Sequence, residues 1–546
     1  MAKILQVSFY NQKSLGLRYV ENALTAHGHS VKTVYFKKFN SQNPSEVTTA
    51  ELEILGRVVE EYKPNLIGLS VMVSLNLEQV FLVNDYLKNK FAIPIVWGGV
   101  YATMFPEKCM EKADFVIRGE GEEPSVELVE FLSMYSVSFP NTIGSGETRD
   151  ENPDRQQTPP SDLAYSLSEE GSATNPPKNK AVNEFNDLSS IKNLVYRKNG
   201  EVVINEMRDF LTELDKYGVP NIGGDKCLIE NNALTQGDPQ IRSLSYELTA
   251  SRGCPFACSY CCSINLMRLG RGRGKYVRFR EVGHVMEELL NAKAKVKNLK
   301  VIHFWDEIFN DKDDWIDEFS SRYKKEINLP FEIWGHPLKC GDELIRKLKK
   351  AGLYKVVMGI QSGSPYIRKE IFNRPETQED IVKASVVLAR HKVPQVVYDL
   401  MLRHPFETVE TIKETFELTA RLVPPFQLQL HGLNFFPGTD IVQTAIDRGL
   451  VSAEEMERRM NTTLKEQYKM HWEHEGANEE INYWYNLTEL LQFPLLRGKA
   501  KRLAKSEPTH ANFEKAKKLC RLGKKLEKIR YYYDKGLIVA KGTFKL

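Results

Sequence analysis

Short apolar runs ending in glycine or serine alternate with helical segments over residues 1–135, and the same alternation returns from about residue 244 to about residue 450. Few folds accommodate such a pattern. Strands joined by helical crossovers pair in parallel, and a parallel sheet has to be covered on both faces. In the first block the runs are KILQVSF, NLIGLSVMV, IPIVWGG and DFVIRGEG, with LGLRYVENALTAHGH as an amphipathic helix stopped by glycine. They predict a doubly wound parallel sheet, whose ligand sits beyond the carboxyl ends of the strands. Ser70, Ser74, Gly98 and Gly99 lie at those predicted ends.

The second block holds six such runs: SYELTASRG, LKVIHFWD, FEIWGHP, YKVVMGIQSG, VPQVVYDLML and FQLQLHGLNF. Helical stretches such as VGHVMEELLNAKAK, DELIRKLKKAG and QEDIVKASVVLARH separate them. Six βα units in series predict a partial or full parallel barrel with its chemistry at the carboxyl ends of the strands. Between the blocks, residues 138–190 hold few large apolar residues and many Pro, Ser, Asn and charged ones. Such a segment buries too little to offset its ordering entropy, so it is expected to be a flexible linker. Residues 191–243 follow as a connecting segment, in which NLVYRKNGEVVINE forms a hairpin turning at Asn199-Gly200. The tail, 451–546, is expected to be mainly helical, with LIVAKGTFKL as a last strand-like piece. The expected domains are therefore 1–137, 138–190, 191–243, 244–450 and 451–546.

Composition narrows the function classes only a little. A net charge of +3 over 546 residues does not single out nucleic acid or a membrane as partner. No apolar run approaches the ~20 residues of a transmembrane helix. The start, MAKILQVSFYNQ, lacks the apolar stretch of a signal peptide, so a cytoplasmic protein is expected. Lys515, Lys517, Lys518, Arg521, Lys524, Lys525, Lys528 and Arg530 share one predicted helix. A solvated face is the favoured reading; contact with an anionic substrate, a membrane surface or a reductant protein is the alternative. Arg268, Arg271, Arg273 and Lys275 follow the cysteine segment in a Gly-rich run, suited to a phosphate or carboxylate or to a solvated loop.

Four of the eight cysteines, Cys254, Cys258, Cys261 and Cys262, fall within nine residues. The other four are too scattered for a disulfide scaffold. Thiolates are the usual ligands of iron–sulfur clusters. Three on one tight loop, with Gly253 and Pro255 to shape it, leave one iron of a cubane open, as a catalytic metal site requires. Cys262 adjoins Cys261, and neighbouring side chains diverge, so Cys254, Cys258 and Cys261 are the expected ligands. The bland alternatives are a zinc knuckle, for which no second ligand pair is evident, and ordinary buried thiols.

The spacing Cys-x3-Cys-x-Tyr260-Cys after a strand resembles the signature of the radical S-adenosylmethionine (SAM) superfamily. The resemblance implies a [4Fe–4S] cluster that chelates SAM at its open iron and cleaves it reductively to a 5′-deoxyadenosyl radical. Other segments resemble the family as well. His303-Phe304-Trp305-Asp306-Glu307 ends the second strand, where the family has a polar segment near the SAM amino group. Gly359-Ile360-Gln361-Ser362-Gly363-Ser364 resembles the element near the SAM ribose. The run from Asp399 to Thr408 resembles the fifth-strand pattern, with Arg403 and Phe406 where small residues are common, and Phe435 to Thr439 resembles the sixth-strand ending. Tyr260, Asp306, Glu307, Gln361, Ser362 and Asp399 are thereby implied as SAM contacts; Asp306 as a simple cap is the competing reading.

The first 135 residues resemble the cobalamin-binding domain that precedes the barrel in class B radical SAM proteins. The resemblance implies corrin contacts at Ser70, Ser74, Gly98, Gly99, Val100, Tyr101, Gly119 and Glu120. The Asp-x-His-x-x-Gly motif that brings a histidine to cobalt in other cobalamin proteins is absent, so no protein histidine is expected on cobalt. Taken together, the resemblance implies a methyltransferase acting on an unactivated carbon of a small molecule, with an electron donor such as flavodoxin or ferredoxin. The alternatives are a cyclase or rearrangement enzyme like the magnesium-protoporphyrin ester cyclase, and a non-enzymatic cobalamin or redox sensor.

Overall fold

A computed structural model describes residues 1–40, 44–134, 188–460, 462–472 and 478–543. The linker expected over 138–190 lies, up to residue 187, outside the described residues. The chain divides into two units. The first comprises Met1–Leu211, Gly223–Pro239 and Gly272–Gly274, and the second Thr212–Ile222, Gln240–Arg271 and Lys275–Leu546.

The first unit is built on one nine-stranded sheet. Its strands are β1 (Lys3–Phe9), β2 (Ser30–Phe36), β3 (Leu66–Ser70), β4 (Ile95–Gly98), β5 (Phe115–Ile117), β6 (Leu194–Lys198), β7 (Glu201–Ile204), β8 (Lys226–Glu230) and β9 (Ala233–Gln236). They lie in the order β7-β6-β5-β4-β3-β1-β2-β8-β9. The parallel core, 2-1-3-4-5, is doubly wound, with its topological switch between β1 and β3. β1 and β2 are almost wholly buried, as strands covered on both faces must be.

Within residues 191–243, expected as a connecting segment, four strands are built into this sheet, while Thr212–Ile222 and the stretch from Gln240 belong to the second unit. β6 and β7 extend it antiparallel beyond β5, while β8 pairs in parallel with β2 and carries β9 on the outside. A hairpin's alternation is visible in a sequence; the distant edge it will pair with is not. The turn itself is as expected: Asn199 and Gly200 both have positive φ, 53° and 83°, as a type I′ turn requires. Buried ion pairs fasten β8 and β9 to the helix Leu15–Ala26. Arg18 grips Asp238 through two hydrogen bonds of 2.8 Å, and Lys226 reaches Glu21 at 2.6 Å. Removing one partner of such a pair costs about 3–5 kcal/mol, because the other charge stays buried.

The second unit holds a six-stranded, all-parallel sheet in sequence order: β10 (Ser245–Leu248), β13 (Val301–Phe304), β14 (Phe331–Gly335), β15 (Leu353–Gln361), β16 (Gln395–Met401) and β17 (Gln427–His431). A separate antiparallel pair, β11 (Ser251–Arg252) and β12 (Arg278–Phe279), frames the cysteine segment. All six expected strands form, and the sheet stays open between β10 and β17, so it is a partial barrel. Its helices pack outside on a continuous apolar core. There Phe304 meets Phe309, Phe319 and Phe331 edge-on at 5.0, 5.5 and 5.8 Å, the offset geometry aromatic rings prefer.

The C-terminal region is helical, as expected, but without a final strand: LIVAKGT lies inside the helix His510–Thr543. A short apolar run does not reveal its own period, and here it continues a helix already more than two dozen residues long. Against the middle of that helix, a side chain at Gly523 would collide with the Phe493 ring.

Candidate active site

The cysteine loop runs from the end of β11 into the helix Cys262–Leu269. Gly253 has φ of 89°, and a side chain there would strike the Tyr276 carbonyl, so this position requires glycine. Neighbouring segments pin the loop independently of any metal. The Ser259 backbone N–H donates to the Phe372 carbonyl at 3.1 Å, its hydroxyl donates to the Ile371 carbonyl, and the Asn373 amide donates to the Ala257 carbonyl at 2.7 Å.

Cys254, Cys258 and Cys261 are half-buried and carry no disulfide. Burial first, then Glu307 and the neighbouring thiols, pushes the Cys254 thiol up to about 12. Cys261 caps the following helix, accepting from Ser263 N at 3.5 Å, and its proton is shared with Cys262, which raises Cys261 and lowers Cys262. Among the described residues no three His, Cys, Asp or Glu side chains converge as they would around a single ion. A cubane takes one thiolate per iron and spreads its ligands farther apart, so a loop carrying three thiols fits a cluster better than zinc.

A charged network the sequence reading missed stands behind this loop. Arg374 is 5% exposed. It donates to the Tyr260 hydroxyl at 2.9 Å and to the Gly359 carbonyl at 2.7 Å, and its Nη1 lies 3.9 Å from Cys258 Sγ. Its Nε pairs with Glu376, whose other oxygen lies 3.3 Å from His336 Nε2, and the His336 ring stacks on Phe256 of the cysteine loop at 3.7 Å. Burial opposes the Glu376 charge, but His336 close by and the hydrogen bond from Arg374 hold its carboxyl below the usual range. Asn373-Arg374-Pro375-Glu376 carries no periodicity; its only signal is two opposite charges two residues apart between apolar stretches.

The expected SAM contacts divide. Tyr260 belongs to the network just described. Glu307, raised by burial, accepts from Ser263 at 3.3 Å, beside Cys254 and Cys261. Gln361, at the end of β15, takes a φ of 59° and leaves its buried Oε1 without a hydrogen bond among the described residues. Asp399 lies 2.9 Å from His431 across β16 and β17; burial works against the imidazolium, but Asp399 holds it above its ordinary value. The other two are absorbed by the fold. Asp306 is 1% exposed and accepts from Ala250 N and the Ser251 hydroxyl, tying the end of β10 to that of β13, with burial raising it to about 6. Ser362 is fully buried against Thr415 and Ser364.

The first unit sorts its expected contacts likewise. Ser70 ends β3 in register with Gly98 of β4. A side chain on Gly98 would meet nothing within 4 Å, whereas at Gly99, φ 108°, it would stand 2.6 Å from the Val71 carbonyl oxygen. Gly99 therefore serves the sheet, and Gly98 opens on the space beyond it. Ser74 is buried, and Val100 and Tyr101 start the short helix Val100–Met104, with burial raising the Tyr101 hydroxyl to about 12. Glu120 is turned inward: its carboxylate accepts from Leu211 N and its carbonyl from Asn193. Gly119, φ 73°, donates its N–H to Thr103 and closes on Met207. His29 accepts from Ala2 N, at the amino end of the sheet and away from the ligand side.

Residues 248–419 match the radical SAM superfamily, and residues 2–129 match the B12 binding domain. The chain joins a B12-binding domain to a radical SAM domain. The two domains are named for B12 and SAM, the groups that such domains take, and the three loop thiols fit a [4Fe–4S] cluster. Among its relatives, an uncharacterized methyltransferase of Pyrococcus horikoshii is 23% identical over 417 residues, 75% of each chain. The cytidylyl-2-hydroxyethylphosphonate methyltransferase of Streptomyces wedmorensis is 23% identical over 475 residues, 82% of this chain and 80% of that one. The fold is shared with TsrM of Kitasatospora setae, solved with cobalamin and a [4Fe–4S] cluster (TM-score 0.59, 14% identity, 96% of this chain and all of that one). It is also shared with the cobalamin-dependent radical enzyme OxsB (TM-score 0.60, 13% identity, 94% and 72%). The residues present fit these groups: three loop thiols, a Gln361 acceptor without a hydrogen bond among the described residues, and an open Gly98 at the strand ends. No described helix is long and apolar enough to cross a membrane.

Proposed function

We propose that the protein methylates an unactivated carbon of a small molecule, with cobalamin as the methyl carrier. Support comes from the two relatives named as methyltransferases, which align over three quarters or more of this chain. The cofactors supply one-electron chemistry, needed because acid–base catalysis cannot remove a proton from such a carbon.

The chain's own groups bind, orient and shield. Cys254, Cys258 and Cys261 would hold the cluster. Gln361 Oε1 offers an acceptor, and Glu307 a carboxylate, to the polar end of SAM. Arg374 fixes the Tyr260 hydroxyl beside Cys258, and Phe256 of the same loop stacks on His336. Gly98, with Ser70 beside it, would admit the corrin. An electron donor of flavodoxin or ferredoxin type fits the requirement for reduction, and the eight free thiols suit a cytoplasmic setting.

Anaerobic protein supplied with methyl-labelled SAM, reductant and candidate substrates tests the reading. Labelled methyl should appear in product together with 5′-deoxyadenosine. Deoxyadenosine with an altered but unlabelled product would mean cyclisation or rearrangement instead. No SAM cleavage at all, with cluster and cobalamin loaded, would mean a sensor.

A further inference from the structure

Beside the open edge of the barrel lies a cavity of about 740 Å³, floored by β17 and walled by the helices Glu479–Leu490 and His510–Thr543. That volume falls within the ~300–1,000 Å³ of small-molecule sites. Four cations line it, Arg403, Lys517, Arg521 and Lys524, against one carboxylate, Glu489. Glu489 is engaged by Lys524 at 2.9 Å and Glu514 lies 3.6 Å from Lys517, whereas Arg521 has no ion pair among the described residues. The excess of positive charge exceeds what a single carboxylate would neutralise and suits a doubly charged oxyanion.

Arg403 gives the site its direction. It follows β16, four residues after Asp399, with φ of 56°, a conformation that favours glycine. The cost, on the order of 1 kcal/mol, sets the guanidinium 4.0 Å over the Tyr485 ring. Its Nε is buried without a hydrogen-bond partner among the described residues. The neighbouring Glu407, raised by burial to about 8, carries little charge at neutral pH and leaves the guanidinium largely uncompensated. Phe513, beneath Lys517 at 5.6 Å, adds a second ring. The basic helix is thus two surfaces: Lys517, Arg521 and Lys524 face the cavity, while Lys515, Lys518, Lys525 and Lys528 are exposed outside its lining.

We propose that this cavity binds the phosphoryl-bearing end of a small molecule that carries a planar ring, with Arg403, Lys517 and Arg521 on the oxyanion and Tyr485 and Phe513 beside the ring. The proposal rests on the reading above that the protein acts on a small molecule, and it names that molecule's class.

Calorimetric titration of the full chain without SAM, using phenyl phosphate, inorganic phosphate and benzoate, tests it. Phenyl phosphate should bind saturably with a dissociation constant of roughly 0.1–1 mM. Inorganic phosphate and benzoate should each bind about tenfold more weakly. Lys517→Gln and Arg521→Gln, both on the helix surface and safe for folding, should each weaken phenyl phosphate about fivefold. Lys518→Gln and Lys525→Gln remove the same charge outside the cavity and should change nothing. Absence of saturable binding up to ~10 mM, benzoate binding as tightly as phenyl phosphate, or equal losses in the outside variants would each overturn the proposal. Because SAM is absent, loss of phenyl phosphate binding leaves the methyl-transfer reading standing, and failed methyl transfer leaves the cavity standing.

Discussion

Replacing Arg374 should make the cluster harder to reduce. The guanidinium lies 3.9 Å from Cys258 Sγ, in a site 5% exposed. A unit charge at that distance, with an effective dielectric of ~20, interacts with an added electron by ~4 kcal/mol. The electron spreads over the cubane, which about doubles the mean distance and leaves ~2 kcal/mol, or roughly 90 mV for a one-electron couple at about 59 mV per tenfold. Arg374→Gln should therefore lower the reduction potential by on the order of 100 mV, and Arg374→Lys should recover most of it. Removing Arg374 also strands the Glu376 carboxylate, so the Arg374→Gln/Glu376→Gln double variant serves as a folding control. The assay is redox titration of reconstituted protein followed by electron paramagnetic resonance, with iron content measured in parallel. An unchanged or raised potential in Arg374→Gln at full iron loading would refute the electrostatic reasoning.

Alanine at Cys254, Cys258 or Cys261 should abolish the cluster, about four irons per cubane, while Cys262→Ala retains it; iron and sulfide analysis decides, and loss at Cys262 alone would reverse the assignment. Gly99→Ala should destabilise the first sheet by a few kcal/mol through its clash with the Val71 carbonyl, whereas Gly98→Leu should leave the melting temperature unchanged and block hydroxocobalamin uptake, read from the visible spectrum. Glu407, raised by burial from 4.5 to about 8, keeps in the folded chain a proton that the unfolded chain releases, so its contribution to stability falls as pH rises across that window. Glu407→Gln should therefore gain melting temperature over the parent progressively from about pH 5 to about pH 8, and a pH-independent difference would count against the buried proton.

The six strands of the partial barrel were legible because each is a buried apolar run closed by a small or polar residue, as in YKVVMGIQSG. β2 was passed over: SVKTVYF sits directly behind a helix that ends in glycine, with no turn cluster to mark its start. β6 and β7 were visible only as a local hairpin, and β8 and β9 were passed over within the connecting segment, since edge pairing is decided by distant residues. At the site, the cysteine spacing is local and therefore readable. Asp306 and Ser362 show the opposite case: the right residue types stand at the right strand ends, yet backbone amides and hydroxyls within the fold already occupy them. His336 meets Arg374 and Glu376 only in three dimensions, from 38 to 40 positions away in sequence.

The sheet that opens the chain cannot be excised at the point where its family resemblance fades. A fragment ending at residue 137 would strip β6 from β5 and β8 from β2, baring two rows of backbone donors and acceptors, one of them on a strand whose Tyr35 and Phe36 are fully buried. Such a margin is a template for adding further copies of itself. The same cut would orphan Arg18 and Glu21 by deleting Asp238 and Lys226. An expression fragment that stays monomeric must therefore run through Pro239, so the vitamin-binding half of this protein is encoded in two instalments, on either side of residues 138–187.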